Sequence, residues 1–380
     1  MFQRNQLFPH AEGQSFFFWG ARQTGKSTLL KARYHDSIYI DLLLSHEYRR
    51  YLNYPEQLRE SLLLSVPTKP VVIDEIQKLP MLLDEIHWLI ENKGYQFILS
   101  GSSPRKLLRS GANSLGGRAL RYELYPLSYS EIPEFDLIKA LNQGLMPRHY
   151  LAKNYNQMIE GYIGSYLEDE IVAETKIRNV EVFSKFLEKA AFSNGELVNY
   201  TNIATDCAIS ANTVKEYFAI LRDTLLGNFV EPFQKKPKRR TVSTPKFYFF
   251  DVGIANYLLK RKNIERGSLA FGSAFEHFIY HELKTYSQYS GKKFPIYFWR
   301  TSSQLEVDFI LGDHEVAIEI KAADNISTKH TKGVKALMEE YTIRKKIIVS
   351  LDTLPRLLDH DIQALPWNVF LDKLWAGEII

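Results

Sequence analysis

The chain has one cysteine, Cys207, in 380 residues, so no intramolecular disulfide can form and a reducing compartment is expected. Long hydrophobic runs are also missing. Stretches such as 15–20 and 62–66 fall far short of the roughly 20 apolar residues a membrane span requires. Residues 1–12 hold no apolar core after their basic residue, so no signal peptide is expected. These absences argue against a membrane partner and for a cytoplasmic protein. Internal repeats and low-complexity tails are lacking as well. Charge of one sign is scarce, because 48 Lys and Arg against 44 Asp and Glu leave a formal charge of only +4. Whole-molecule charge therefore implies no polyanionic partner, and only its local distribution can. What is present is ordinary globular material, 45% hydrophobic and 24% charged, long enough for two or three domains.

In the first 125 residues, short apolar runs alternate with amphipathic helical stretches. Strands are expected at 16–19, 38–44, 71–73, 97–99 and 120–124, with helices such as 82–91 between them. This alternation implies an α/β fold with a parallel sheet covered on both faces. The periodicity turns helical from 128 to about 179, changes again to short helices and a Pro- and Lys-rich hairpin up to 250, then returns to mixed α and β. The expected domains are 1–127, 128–180, 181–250 and 251–380.

Gly20, Ala21, Arg22, Gln23, Thr24, Gly25, Lys26 and Ser27 satisfy the P-loop pattern, after an apolar strand and before a helical run that begins with Thr28 in line. Glycines let backbone N–H groups curl around phosphate oxygens, and the helix N-terminus adds positive potential. Lys26 is expected at the β- and γ-phosphates of ATP and Ser27 on Mg2+. Asp74 ends a buried strand, where it can hold the Mg2+ water shell, and Glu75 beside it can deprotonate the attacking water. Ser102, or next to it Ser100, ends another strand and can touch the γ-phosphate; either can equally be a helix cap. Arg118, after Gly116 and Gly117, can reach phosphate in a neighbouring copy, which would require a homo-oligomer; otherwise it is a surface arginine.

The run Val-Ile-Asp-Glu-Ile-Gln-Lys-Leu-Pro through Pro80, then Leu-Ser-Gly-Ser-Ser and Gly-Gly-Arg before Tyr-Glu-Leu-Tyr-Pro-Leu-Ser, resembles a widespread bacterial and archaeal family of AAA+-type ATPases. Its members carry a second region of little-known function after the ATPase. The resemblance implies an AAA-like core with a helical lid, here about 128–180, and no settled biological role.

Residues 196–224 read as a helix-turn-helix. Thr201 or Asn202 is expected to cap the first helix and Ser210 or Asn212 the second. Val214, Phe218 and Leu221 would face inward; Asn212, Thr213, Lys215 and Arg222 would face out. The hairpin at 229–250 would complete a winged helix. Lys235, Lys236, Lys238, Arg239, Arg240 and Lys246 lie in it without an acidic residue, so it reads as a DNA-binding finger. The plainer alternative is a packing module with a solvated basic loop.

Farther on, Glu306, Val307 and Asp308 precede Glu319, Ile320 and Lys321 on what read as consecutive strands turning at Gly312 and Asp313. Opposed carboxylates Asp308 and Glu319 can share a divalent ion, with Lys321 supporting the chemistry and Glu276 reaching in from an upstream helix. His277 and His281, spaced i, i+4 on that helix, could bind a metal but read rather as ordinary helix-surface or packing residues. The order of helix Glu, strand Asp, then Glu-x-Lys resembles the PD-(D/E)xK restriction-endonuclease-like superfamily, which also has inactive members. Together these readings give two expectations. One is an ATPase that processes DNA, with a metal-dependent nuclease domain. The other is an ATP-operated regulatory or defence switch whose C-terminal modules bind partners without cutting.

Overall fold

The computed structural model describes residues 2–8, 11–105, 107, 115–167, 180–235 and 239–380. Strands β1 (Ser15–Trp19), β2 (Tyr39–Asp41), β3 (Val71–Asp74), β4 (Phe97–Gly101) and β5 (Ala119–Glu123) form a parallel sheet in the order β2-β3-β4-β1-β5. All five expected strands are present. Helices α1 (Lys26–Arg33), α2 (Ser45–Asn53), α3 (Gln57–Ser65) and α4 (Leu82–Lys93) connect them. Burial on both faces explains the unbroken apolar run of β1. Phe16 and Phe18 pack with Phe8, Leu30 and Tyr122 on one face; Phe17 and Trp19 pack with Ile40, Ile73 and Ile86 on the other. Because parallel strands all point one way, the carboxyl ends of β1, β3 and β4 meet along one edge, where ligands bind in open α/β sheets.

Helices α5 (Leu137–Gln143), α6 (Pro147–Leu151) and α7 (Tyr155–Gly161) occupy the expected lid region, of which residues 168–179 lie outside the described residues. The first part of this region is not a free-standing lid. Leu127, Leu137, Leu141 and Tyr150 share one core with Phe271, Phe275 and Phe278 of the C-terminal half.

Helices α8 (Val180–Ala191), α9 (Tyr200–Cys207) and α10 (Ala211–Asp223) follow. The last two make the expected helix-turn-helix, with Val214, Phe218 and Leu221 fully buried. The second helix is capped by Ser210, as read from the sequence; the first is capped by Asn199, not by Thr201 or Asn202, since the Asn199 side chain accepts from the Asn202 N–H.

The hairpin after them departs from expectation. Strand β6 (Gly227–Pro232) pairs antiparallel with β7 (Lys246–Phe249), but it also pairs in parallel with β8 (Ile296–Arg300). It therefore joins a larger sheet with β9 (Glu306–Leu311), β10 (Val316–Ile320), β11 (Lys345–Ser350), β12 (Arg356–Leu358) and β13 (Ile362–Pro366). The order is β12-β13-β11-β10-β9-β8-β6-β7, so the expected boundary at 250 cuts through one continuous sheet. Around that sheet lie α11 (Val252–Leu258), α12 (Leu269–Tyr289), α13 (Lys332–Met338) and α14 (Trp367–Trp375). From α12 onward the chain runs helix, three-stranded antiparallel meander, helix, then a strand parallel to the third.

Helix α12 is buried along most of its 21 residues, and its histidines are part of the packing, as expected. His277 Nε2–H donates to the Phe249 carbonyl (2.7 Å) while Nδ1 accepts from the Asn194 amide (3.2 Å). His281 Nε2–H donates to the Leu127 carbonyl (2.9 Å). Burial pulls their values down to about 3 and about 4, respectively. A depressed value means the folded state resists protonation, so this contribution is complete above the unfolded value near ~6.5 and is lost as pH falls toward the folded values. Melting temperatures between pH 7.5 and 4 should fall less steeply for His281→Gln, whose amide can still donate to Leu127. Identical slopes for the variant and native chain would rule out His281 as a source of acid sensitivity.

Candidate functional site

The glycine loop leaves β1 at Gly20 and enters α1 at Lys26, with Gly25 at φ +99°, a left-handed conformation that suits glycine. Thr24 and Lys26 are buried, Ser27 is half-buried, and Arg22, Gln23 and Thr28 are exposed. Lys26 Nζ turns back over the loop to the carbonyls of Gly20 (2.6 Å) and Ala21 (3.2 Å), and Thr24 Oγ1 donates to Ala21 (2.8 Å). The loop is thus closed on itself by its own lysine.

Asp74 and Glu75 stand opposite. The Tyr39 hydroxyl donates to Asp74 Oδ2 (2.6 Å). Asp74 and Ser27 are the two oxygen ligands that the motif assigns to Mg2+. Burial, and then Asp74, raise the Tyr39 hydroxyl far above its usual range, so it stays a donor. The donor set is all oxygen and includes one carboxylate, which fits Mg2+. Glu75 is 8% exposed and has φ +62°, unusual for a residue with a side chain. Burial raises its carboxyl, while Lys26, Gln77 and Arg22 pull the other way and Asp74 adds to the rise. A buried carboxylate with a raised value is suited to taking a proton from water.

Ser102 is fully buried at the end of β4 and accepts from Gln77 Nε2 (3.1 Å); the same amide nitrogen donates to Glu75. Ser100, two residues earlier, is fully buried, and its hydroxyl has no hydrogen-bond partner among the described residues. Tyr39 and Gln77 were not identified from the sequence. Gln77 had a signal, since it is the fourth residue of the Asp74 motif; Tyr39 had none, because its role depends on β2 lying beside β3. Arg118 pairs with Glu91 of α4, both side chains being largely exposed, so the pair contributes at most about 1 kcal/mol.

Beside the loop opens a cleft of about 720 Å³ walled by Phe2, Leu7, Leu29, Pro147 and Leu151. Arg4 lies at its base, almost wholly buried. It donates to Glu131 (3.0 Å) and to the carbonyls of Thr24 (2.6 Å) and Tyr125 (2.6 Å), and it contacts the Tyr289 hydroxyl at the end of α12 (3.4 Å). The N-terminal segment thereby ties the phosphate loop to the C-terminal half. A second tie runs from the end of β4, where Arg105 pairs with Asp223 of α10 (2.8 Å).

The C-terminal carboxylates form a second site. Pairing between β8 and β9 passes from Tyr297–Ile310 to Trp299–Val307, one residue, Phe298, opposite two, Asp308 and Phe309, a bulge that contains Asp308. Bulges re-aim side chains, and this one puts Asp308 beside Glu319. Asp308 Oδ2 accepts from the Ile320 N–H (2.7 Å), and Glu319 Oε1 pairs with Lys321 (2.5 Å). Burial, reinforced by each other's charge and by Glu276, raises Asp308 well above its usual value. Glu319 rises to about 7, chiefly through burial and against the pull of Lys321. Glu319 Oε2 is buried and has no hydrogen-bond partner among the described residues. Glu276 accepts from Tyr248 (2.6 Å) and Lys246 (3.2 Å). Among the described residues no group of three or more His, Cys, Asp or Glu is disposed to hold a metal ion.

Lys246 corrects the reading of the basic hairpin. It is 2% exposed and bridges Glu276 and Glu306 (2.7 Å), because β7 turns it toward the acidic cluster and away from solvent. It belongs to this site, not to a DNA-binding finger. Lys235 pairs with Asp313, and Arg239 pairs with Glu339 and with Glu340 (3.1 Å), so two further cations of the hairpin meet acids of the same chain. Arg240 lies along β8, where its carbonyl accepts from Ser302. Lys236 and Lys238 lie outside the described residues.

Residues 13–133 match the AAA domain family. This segment is similar to AAA-type ATPase domains. Residues 134–265 and 271–370 match two families described as domains of unknown function, DUF8612 and DUF4143. The chain is 25% identical over 290 residues to an uncharacterized protein of Mycobacterium tuberculosis, covering 73% of this chain and 64% of that protein. It thus spans just under two thirds of that relative. An uncharacterized protein of Methanocaldococcus jannaschii is 24% identical over 339 residues, covering 80% of this chain and 73% of the relative. The solved structure of a Walker-type ATPase of Pyrococcus abyssi shares 16% identity, covers 68% of this chain and 96% of its own, and has a TM-score of 0.47. No helix among the described residues is long and apolar enough to cross a membrane.

Proposed function

We propose that the chain binds and hydrolyses Mg-ATP at the edge of the parallel sheet and couples that cycle to action on DNA through its C-terminal half. The observation that carries the ATPase reading is the closed P-loop, with Lys26 Nζ on the Gly20 and Ala21 carbonyls, together with Asp74, held by the Tyr39 hydroxyl, and the buried Glu75 at the end of β3. Lys26 would exchange the loop carbonyls for β- and γ-phosphate oxygens. Ser27 and Asp74 would hold Mg2+, which neutralises phosphate charge when bound. Glu75 would take the proton of the attacking water, Ser102 would contact the γ-phosphate, and the apolar cleft would receive the base. Arg118 can leave an exposed pair of little strength to serve a neighbouring copy.

The C-terminal proposal is a nuclease-like domain. It is supported by the order helix, meander, helix, strand; by Asp308 on the second strand and Glu319 and Lys321 on the third; and by the open acceptor Glu319 Oε2. Asp308 and Glu319 would hold a divalent ion, the remaining positions being filled by water and a substrate phosphate, as Mg2+ commonly accepts. DNA contact would come from the helix-turn-helix, whose Asn212, Lys215 and Arg222 are exposed, and from Lys235, Arg239 and Arg240 of the hairpin. The alternative, a switch that binds without cutting, is favoured by one observation: Lys246 already neutralises Glu276 and Glu306 from within. Mg-ATP turnover measured with and without linear, forked and four-way DNA separates the two. DNA-stimulated turnover supports processing, and tight nucleotide binding with negligible turnover supports the switch.

A further inference from the structure

Gln77 stands on the short 3-10 turn Ile76–Lys78, directly after Glu75, and is 4% exposed. Its Nε2 donates to Glu75 Oε2 and to Ser102 Oγ (3.1 Å), so one amide group bridges the ends of β3 and β4. A carboxylate accepts only, so the NH2 end of the amide must face it. The other end, Oε1, is buried and has no hydrogen-bond partner among the described residues, so among these the side chain is held by its donors. Room for it is made by Gly101: a Cβ there would lie 2.2 Å from Gln77 Oε1 and 2.5 Å from the Trp19 ring.

We propose that Gln77 is a positioning residue of the ATPase reaction, fixing one oxygen of Glu75 so that the other faces the attacking water, and joining Glu75 to Ser102. The proposal rests on the reading of Glu75 as the base and Ser102 as the γ-phosphate contact. A carboxylate at a left-handed backbone position would otherwise be free to turn about its side-chain torsions. The amide removes that freedom and links the phosphate contact to the water-activating group through a single side chain.

The experiment compares ATP turnover and ATP affinity for Gln77→Met, which keeps length and volume and removes the donors. The expected result is a kcat about 10–100-fold lower, the scale of one lost hydrogen bond to a charged group, with ATP affinity within about twofold of native. In a double-mutant cycle, Ser102→Ala should cost less in the Gln77→Met background than alone. Retained ATP affinity reports a folded loop. If Gln77→Met loses it, Gln77→Glu serves as the second variant, and loss of ATP binding in both makes Gln77 merely structural and overturns the proposal. Native turnover overturns it as well, and strictly additive effects of the two substitutions break the link to Ser102. Glu75→Gln, measured alongside, keeps the failures apart. If it is inactive while Gln77→Met is native-like, only the Gln77 proposal falls; if it hydrolyses ATP at the native rate, the reading beneath falls too.

Discussion

Glu75→Gln is expected to bind Mg-ATP as the native chain does and to hydrolyse it about 10²–10⁴-fold more slowly, the range for removing a general base. The substitution keeps shape and most hydrogen-bonding capacity but removes the site that accepts the proton. Binding should survive because phosphate contacts come from the loop N–H groups and Lys26, on the opposite wall. Single-turnover hydrolysis with saturating ATP is the measurement, since it isolates chemistry from product release. Turnover at the native rate would move the base to another residue.

The second large effect concerns the C-terminal carboxylates. Asp308→Asn is the informative substitution, because Asp308 Oδ2 also accepts the Ile320 N–H and Ala would leave that buried donor unpaired. Asn can keep the bond while lowering the charge. If Asp308 and Glu319 share a divalent ion, Asp308→Asn eliminates cleavage of a DNA panel in Mg2+ or Mn2+ and leaves ATP hydrolysis nearly unchanged. Cleavage by the variant at the native rate places the nuclease site elsewhere. If the native chain cuts none of the panel, the domain binds without cutting and the switch reading takes precedence.

The nucleotide site could be read from sequence because its parts are contiguous: a strand, its loop and the next helix for Gly20–Ser27, and a strand end for Asp74 and Glu75. What escaped was contact between strands. Tyr39 reaches Asp74 only because β2 pairs with β3, with Tyr39 opposite Val72 and Asp41 opposite Asp74. Gln77 reaches Ser102 only because β3 pairs with β4. The same reason explains the misreading of Lys246, which was grouped with neighbouring cations by composition. Its burial follows from β7 lying beside β6, and β6 beside β8, pairings across long stretches of chain. Lys235 and Arg239 meet acids 78 and 100 residues away, which no local pattern reveals. For Asp308 and Glu319, strand alternation correctly suggested neighbours, but the bulge that aims Asp308 leaves no mark in the residues themselves.

ATP binding by this chain depends above all on Lys26. Calorimetric titration of Mg-ATP into the native chain and into Lys26→Ala tests this most directly, because Lys26 is the motif's phosphate-binding cation and lies in the loop that it closes. One ATP bound per native chain is expected, with no measurable binding to a folded Lys26→Ala variant. Equal affinity in the two proteins would contradict the proposed nucleotide site.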